Sequence, residues 1–248
     1  METKLKSINT INFTSFIKKL LPIDKFIFMK IMPDKVISSV YLPERDAVKL
    51  VKVDTSTLFD AQIKDTIKVS FYNGVKVVDA LNHFGTEANG VIKYQEYEGE
   101  LMSSDVVIKN DDLSVTLACT DPSLSFMEMS NEEIKKAFGY DEYMFSFDLL
   151  TGHIDKMKSL FQLDKDDALF KINNDGGKIH VVGQSYDAFL SNMKEQNNPG
   201  STVSLYKKHI NLLDKENYRV YVCLNKIVFR SLDTDTLLTV AAAMLGDD

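Results

Sequence analysis

No run of apolar residues in this 248-residue chain approaches the roughly 20 that a membrane-crossing helix needs. The first ten residues hold neither the apolar centre nor the small-residue cleavage site of an export signal. A cytoplasmic protein without a membrane partner is therefore expected, in a host cell's cytoplasm if the chain is viral. Cysteine is scarce. The only two, Cys119 and Cys223, stand in alternating apolar segments, which suits free buried thiols better than a bridge. The four histidines, His83, His153, His180 and His209, show no ligand spacing, so neither a metal site nor any other cofactor is expected.

Catalytic signatures are missing too. There is no Walker loop, no GxGxxG after a strand, no GxSxG and no HExxH. Asn174-Asp175-Gly176-Gly177 lies between two alternating segments and reads as a hairpin turn rather than a phosphate cradle. The acidic pairs Asp111-Asp112, Asp166-Asp167 and Asp247-Asp248 fall in turns or at the chain end. With no nucleophile set beside a base, the chain does not read as an enzyme. Basic residues are outnumbered, 29 against 36 acidic, for a net charge of −7. That sum argues against a surface that wraps phosphates everywhere, but it leaves a local basic stripe open.

What is present is β structure punctuated by short helices. With 44% hydrophobic residues the chain can bury a sizeable core and is long enough for two domains. Asn12 is placed to cap a helix whose Phe13, Phe16, Ile17, Leu20 and Leu21 share one face, with Pro22 ending it. Residues 25–59 then read as an antiparallel meander of three strands. The order recurs after a period of about 60 residues, with a strand at 67–71, a helix carrying Val75, Val78, Leu81 and Phe84, and three further alternating segments.

Residues 122–142, acidic and opened by Pro122, read as a connector between domains 1–121 and 143–248. Beyond it come a strand, a helix with Leu150, Ile154, Met157 and Phe161 on one stripe, a hairpin, a fourth helix with Tyr206, Ile210 and Leu213, and three strands. Each predicted helix carries lysine: Lys18 and Lys19, Lys76, Lys156 and Lys158, Lys207 and Lys208. Two readings stand. Exposed helix faces commonly carry lysine, and lysine also contacts phosphate without reading sequence.

Four helix-then-strands units joined in pairs resemble the DNA polymerase sliding clamps, both those of T-even-type bacteriophages and the proliferating cell nuclear antigen type. Residues 206–222 resemble that family's fourth helix and following strand, 120–123 the entry to its connector, 145–163 its third helix, and 167–183 the next hairpin.

The resemblance implies an α+β clamp fold: two repeated domains, each with two short helices on antiparallel sheets, forming a ring. Two domains per chain imply a homotrimer for a six-domain ring. Duplex DNA would be encircled non-specifically, with Lys18, Lys19, Lys76, His153, Lys156, Lys158, Lys207, Lys208 and His209 toward it. A DNA polymerase would be tethered for processive replication, and an ATP-dependent clamp loader would open the ring. Val106, Val107 and Ile108 of one subunit would pair with Ile179, His180 and Val181 of the next. Partner peptides would enter a pocket of Leu124, Phe126, Met127, Ala242, Met244 and Leu245. The competing expectation is a β-rich phage structural or interaction module without DNA binding.

Overall fold

The computed structural model describes residues 1–120 and 129–243. Its chain divides into two compact units, one of residues 1–43 and 49–129, the other of 44–48 and 130–248. Leu124, Phe126, Met127, Met244 and Leu245 lie outside the described residues.

The first unit runs β1 (Glu2–Asn9), α1 (Thr10–Leu20), β2 (Ile27–Ile31), β3 (Lys35–Tyr41), β4 (Ala47–Asp54), the single turn α2 (Thr55–Leu58), β5 (Phe59–Ala61), β6 (Ile67–Phe71), α3 (Gly74–Leu81), β7 (Glu87–Tyr97), β8 (Glu100–Lys109) and β9 (Ser114–Ala118). β1 lies between β5 and β7, and β7, β8 and β9 follow as an antiparallel ladder. β2 pairs with β3 and β6, and β6 meets β8 in parallel at Ile67 and Leu101.

Helix α1 starts earlier than Asn12. The side chain of Asn9 caps it by accepting from the Asn12 N–H at 3.0 Å, while the Asn12 amide donates to the Thr57 carbonyl. Thr10, Phe13, Phe16, Ile17 and Leu20 are buried, each large apolar member contributing about 1.5–3 kcal/mol. In α3, Val77, Val78 and Leu81 face inward and Asn73 caps the helix, whereas Val75 is exposed. Gly74 opens α3 against β2: a Cβ there would stand 2.6 Å from Ile27 Cγ1 and 2.9 Å from Leu21 Cδ2. Its N–H donates to the Lys25 carbonyl at 2.7 Å, so this corner tolerates only glycine without moving.

The second unit contains α4 (Asn131–Phe138), β10 (Phe145–Leu149), α5 (Thr151–Leu160), β11 (Leu169–Asp175), β12 (Lys178–Val182), β13 (Asp187–Gln196), β14 (Thr202–Tyr206), β15 (Tyr218–Val222), β16 (Lys226–Ser231) and β17 (Asp235–Ala241). Its antiparallel order is β14, β11, β12, β13, β10, β15, β16, β17. β13 belongs to both halves of that series, pairing with β12 over its first residues and with β10 over its last. The β11–β12 turn is Gly176-Gly177 with φ of 55° and 89°, as a tight two-residue hairpin requires.

α4 forms two turns inside the predicted connector, closed by a capping box between Ser130 and Glu133. The expected fourth helix is a correction. Residues up to Tyr206 continue strand β14, and only Lys207–Leu212 coils, as a 3-10 turn. A segment of six residues closes i to i+3 bonds more readily than it sustains an α-helix. Leu150 likewise leaves its predicted stripe: it stands at the N-cap of α5, 47% exposed, while Ile154, Met157 and Phe161 are buried.

Candidate nucleic-acid interface

The lysines singled out from the sequence stand on the helical elements of each unit. In the first, α1 and α3 pack against each other, so Lys18 and Lys19 in the last turn of α1 and Lys76 on α3 belong to one helical layer. The two α1 lysines also sit where a helix C-terminus favours positive charge. Asp79, Asn82 and His83 are exposed on or just after α3, diluting the charge there.

In the second unit Lys158, Lys165, Lys207 and Lys208, together with Phe161, Gln162 and Asn211, line one open groove of about 540 Å³. α5 brings Lys158, the turn after it brings Lys165, and the 3-10 turn brings Lys207, Lys208 and Asn211. Lys207 Nζ donates to the Asp164 carbonyl at 2.5 Å and lies 5.7 Å over the Phe161 ring. Lys208 Nζ is 2.7 Å from Asp46 Oδ2 and 5.7 Å over Tyr206. The bond to Asp46 raises the Lys208 pKa, so its charge is held firmly. Burial pushes Asp46 upward, but its bonds to Lys208 and His209 outweigh that and leave it below the ordinary value. Lys165, Gln162 and Asn211 are not evident from the sequence, where the signal is lysine on helices, and Lys165 and Gln162 lie in a turn.

The two predicted histidines are occupied inside the fold. His209 is a correction: its imidazole is 0% exposed and its Nε2 lies 3.0 Å from Asp46 Oδ2. Burial lowers its pKa, so the ring is neutral and Nε2–H is the donor. Its Nδ1 finds no partner among the described residues. This ring cannot reach a phosphate. His153 is half-buried, and its Nδ1 accepts the Leu150 N–H at 3.2 Å across the start of α5. Burial, then the charge of Lys156, lowers its pKa. Lys156 itself, exposed on α5, donates to the Phe189 carbonyl of β13 at 2.5 Å.

No family model and no curated protein matches the chain. Solved structures do match it in shape. The proliferating cellular nuclear antigen of Entamoeba histolytica superposes with a TM-score of 0.68 at 11% identity, covering 98% of both chains. The A. fulgidus PCNA bound to the C-terminal region of FEN-1 gives 0.68 at 11%, covering 99% of this chain and all of that one. A Helicobacter pylori beta clamp bound to a DNA ligase peptide gives 0.66 at 12%, over 99% of this chain and 68% of the longer bacterial one.

The fold is that of the sliding clamps.

On this clamp fold the strands expected to join subunits are internal. Val106, Val107 and Ile108 on β8 are paired on one side with β7 and on the other with β9. Ile179, His180 and Val181 on β12 are paired with β11 and β13. Alternation identifies a strand but not its neighbours, and a strand with both ladders filled has no groups left for another chain. The open edges lie one strand further out. Among the described residues no strand pairs with the far side of β9, nor with that of residues 187–191 of β13.

Which groups face those edges follows from the ladders. Gly183 N–H donates to the Tyr186 carbonyl, which makes that pair hydrogen-bonded. Alternation then makes Val181 with Ala188 the next such pair and points the N–H and C=O of Asp187 and Phe189 outward. By the same argument from the Asn110 N–H to Leu113 carbonyl bond, Ser114, Thr116 and Ala118 of β9 point theirs outward.

Of the predicted partner pocket only Ala242 is described. It is half-buried, and its N–H donates to the Asn225 carbonyl at 3.0 Å. Near it Lys226 Nζ donates to the carbonyls of Lys136 and Ala137, and Thr239 Oγ1 donates to that of Ala137, tying down the C-terminal end of α4. Tyr140, just beyond, stacks on Tyr221 at 3.9 Å between centroids. Both cysteines are free, and burial pushes the Cys119 thiol up to about 11, far from the reactive range.

Proposed function

We propose that the protein is a DNA sliding clamp, a non-enzymatic ring that encircles duplex DNA and tethers a polymerase to it. The observation that carries this reading is that the clamp structures the chain resembles cover 98–99% of it. Three copies close the ring. In each joint β9 of one copy lies antiparallel to residues 187–191 of the next, outward groups of Phe189 meeting those of Ser114, Thr116 or Ala118. This closure removes two sheet edges per subunit that would otherwise invite aggregation.

Lys158, Lys165, Lys207 and Lys208, with Lys18, Lys19 and Lys76, supply weak phosphate contacts that hold the duplex without fixing its sequence. An excess of acidic residues elsewhere keeps DNA from other surfaces. Tethering makes rebinding of the polymerase an intramolecular event, and an ATP-dependent loader opens the ring.

The test is sedimentation of the purified protein followed by primer extension. A particle of about three times 28.1 kDa that lengthens polymerase products on circular primed DNA is expected. A monomer that leaves product length unchanged would overturn the proposal in favour of a β-rich interaction module.

A further inference from the structure

The outer edge of β13 is not bare. Along the regular part of this edge, residues 187–189, Asp187 and Phe189 point backbone groups outward, and the carbonyl of Phe189 is already taken by Lys156 Nζ at 2.5 Å. A strand docking on this edge needs that acceptor, because in an antiparallel ladder a residue facing its partner exchanges both its N–H and its C=O. The ammonium and an incoming N–H compete for one oxygen.

We infer that Lys156 guards the β13 edge of the unassembled subunit, holding the Phe189 carbonyl until β9 of a second copy displaces it. The inference rests on the β9–β13 joint proposed above.

Several features of the molecule support it. Lysine is a residue with which native sheets blunt an exposed edge, because its long stem lets a charge sit where a neighbouring strand would lie. Lys156 comes from α5 rather than from β13, so the guard can swing away without disturbing the strand. The edge also carries an exposed aromatic, Phe189 at 45%, whose ring meets His180 edge-on. An uncovered edge with such a side chain would otherwise favour indiscriminate pairing. The contact has a reciprocal consequence. Joining frees one α5 lysine that a lone subunit cannot offer to phosphate, so DNA and assembly favour each other.

The experiment compares the subunit dissociation constant of wild type with those of Lys156→Met, which keeps the stem and removes the donor, Lys156→Arg, which keeps a donor of similar reach, and Lys215→Met, at an exposed position away from the groove and the β13 edge, as a control for added apolar surface. All are measured by sedimentation without DNA. Lys156→Met is expected to tighten assembly about three- to tenfold, the worth of a released surface hydrogen bond, with Lys156→Arg and Lys215→Met close to wild type. Unchanged or weaker assembly of Lys156→Met, in a wild type that forms trimers, overturns the guard and leaves the ring reading standing. If neither wild type nor Lys156→Met associates, the ring reading fails and takes the guard with it.

Discussion

The imidazole Nε2 of His209 sits 3.0 Å from a carboxylate oxygen of Asp46, a residue 163 positions earlier in the chain. Asp46 also receives Lys208 at 2.7 Å, so one carboxylate orients both a buried neutral ring and a groove lysine. Replacing Asp46 by Ala strands the His209 N–H in a dry site and is expected to cost about 1–3 kcal/mol in urea unfolding. Asp46→Asn, which keeps an acceptor oxygen, should recover part of the loss.

Acid should weaken the protein in two stages. His209 has a folded pKa below its ordinary value of 6.5, so the unfolded chain binds the extra proton first, and stability present above about pH 6.5 is lost as pH falls below it. Asp46 is also depressed, from 3.8, so its contribution is present above that value and is lost as pH falls further, through its folded pKa. His153, shifted the same way as His209, adds to the first stage. Urea midpoints at pH 7.5 and 5.5 should therefore differ, and His209→Asn should narrow the difference without abolishing it.

Charge removal in the groove should act on DNA and not on folding. Lys158→Gln with Lys165→Gln is expected to lower the slope of log affinity against log salt by about 0.9 for each phosphate that is no longer neutralised. Lys208→Gln should affect both properties, losing up to about 1 kcal/mol of stability because it abandons Asp46. Fluorescence anisotropy across a salt series, alongside thermal melts, separates the two.

Lys226 holds the last turn of α4 through two carbonyls at 2.6 and 3.0 Å. Burial lowers its pKa, which marks the site as partly dry. Lys226→Met should leave the Ala137 carbonyl to Thr239 and deprive the Lys136 carbonyl of its lysine donor, at a cost of about 1–3 kcal/mol. Hydrogen exchange in α4 should accelerate while β10 and β15 keep their protection.

Gly74→Ala should be destabilising by about 1–3 kcal/mol, because its Cβ must push Ile27 and Leu21 out of a packed corner. A drop in melting temperature with an unchanged far-UV spectrum is the expected result.

How far the sequence can be read depends on whether the ladder is regular. β6 and β15 keep an unbroken register with their antiparallel neighbours, and their segments, IKVSF and YRVYV, are recognisable as strands. β1 is not, because a register shift between Leu5 and Ser7 separates its buried Leu5 and Ile8 by three positions and erases the two-residue period. β13 hides for the same reason, with a shift beside Leu190, the one side chain it buries. The helix lysines are visible as residues, but their partners are not. Asp46 beside His209 and the Phe189 carbonyl beside Lys156 are products of tertiary folding. Composition does not mark both edges: β13 is more polar than β12, but β9, with Ser114 and Thr116 beside Val115, Leu117 and Ala118, is no more polar than β8 with its Glu100, Ser103, Ser104, Asp105 and Lys109.

The short piece of chain at 44–48, which groups with the second unit, bears on how the gene can be cut. A fragment beginning at residue 130 would be synthesised without Asp46, so its His209 would be left inside the fold with nothing to accept its N–H. The halves are thus unequal as expression units. Dissection at the connector, the obvious place to divide a repeated protein, would yield a second half lacking part of its own core.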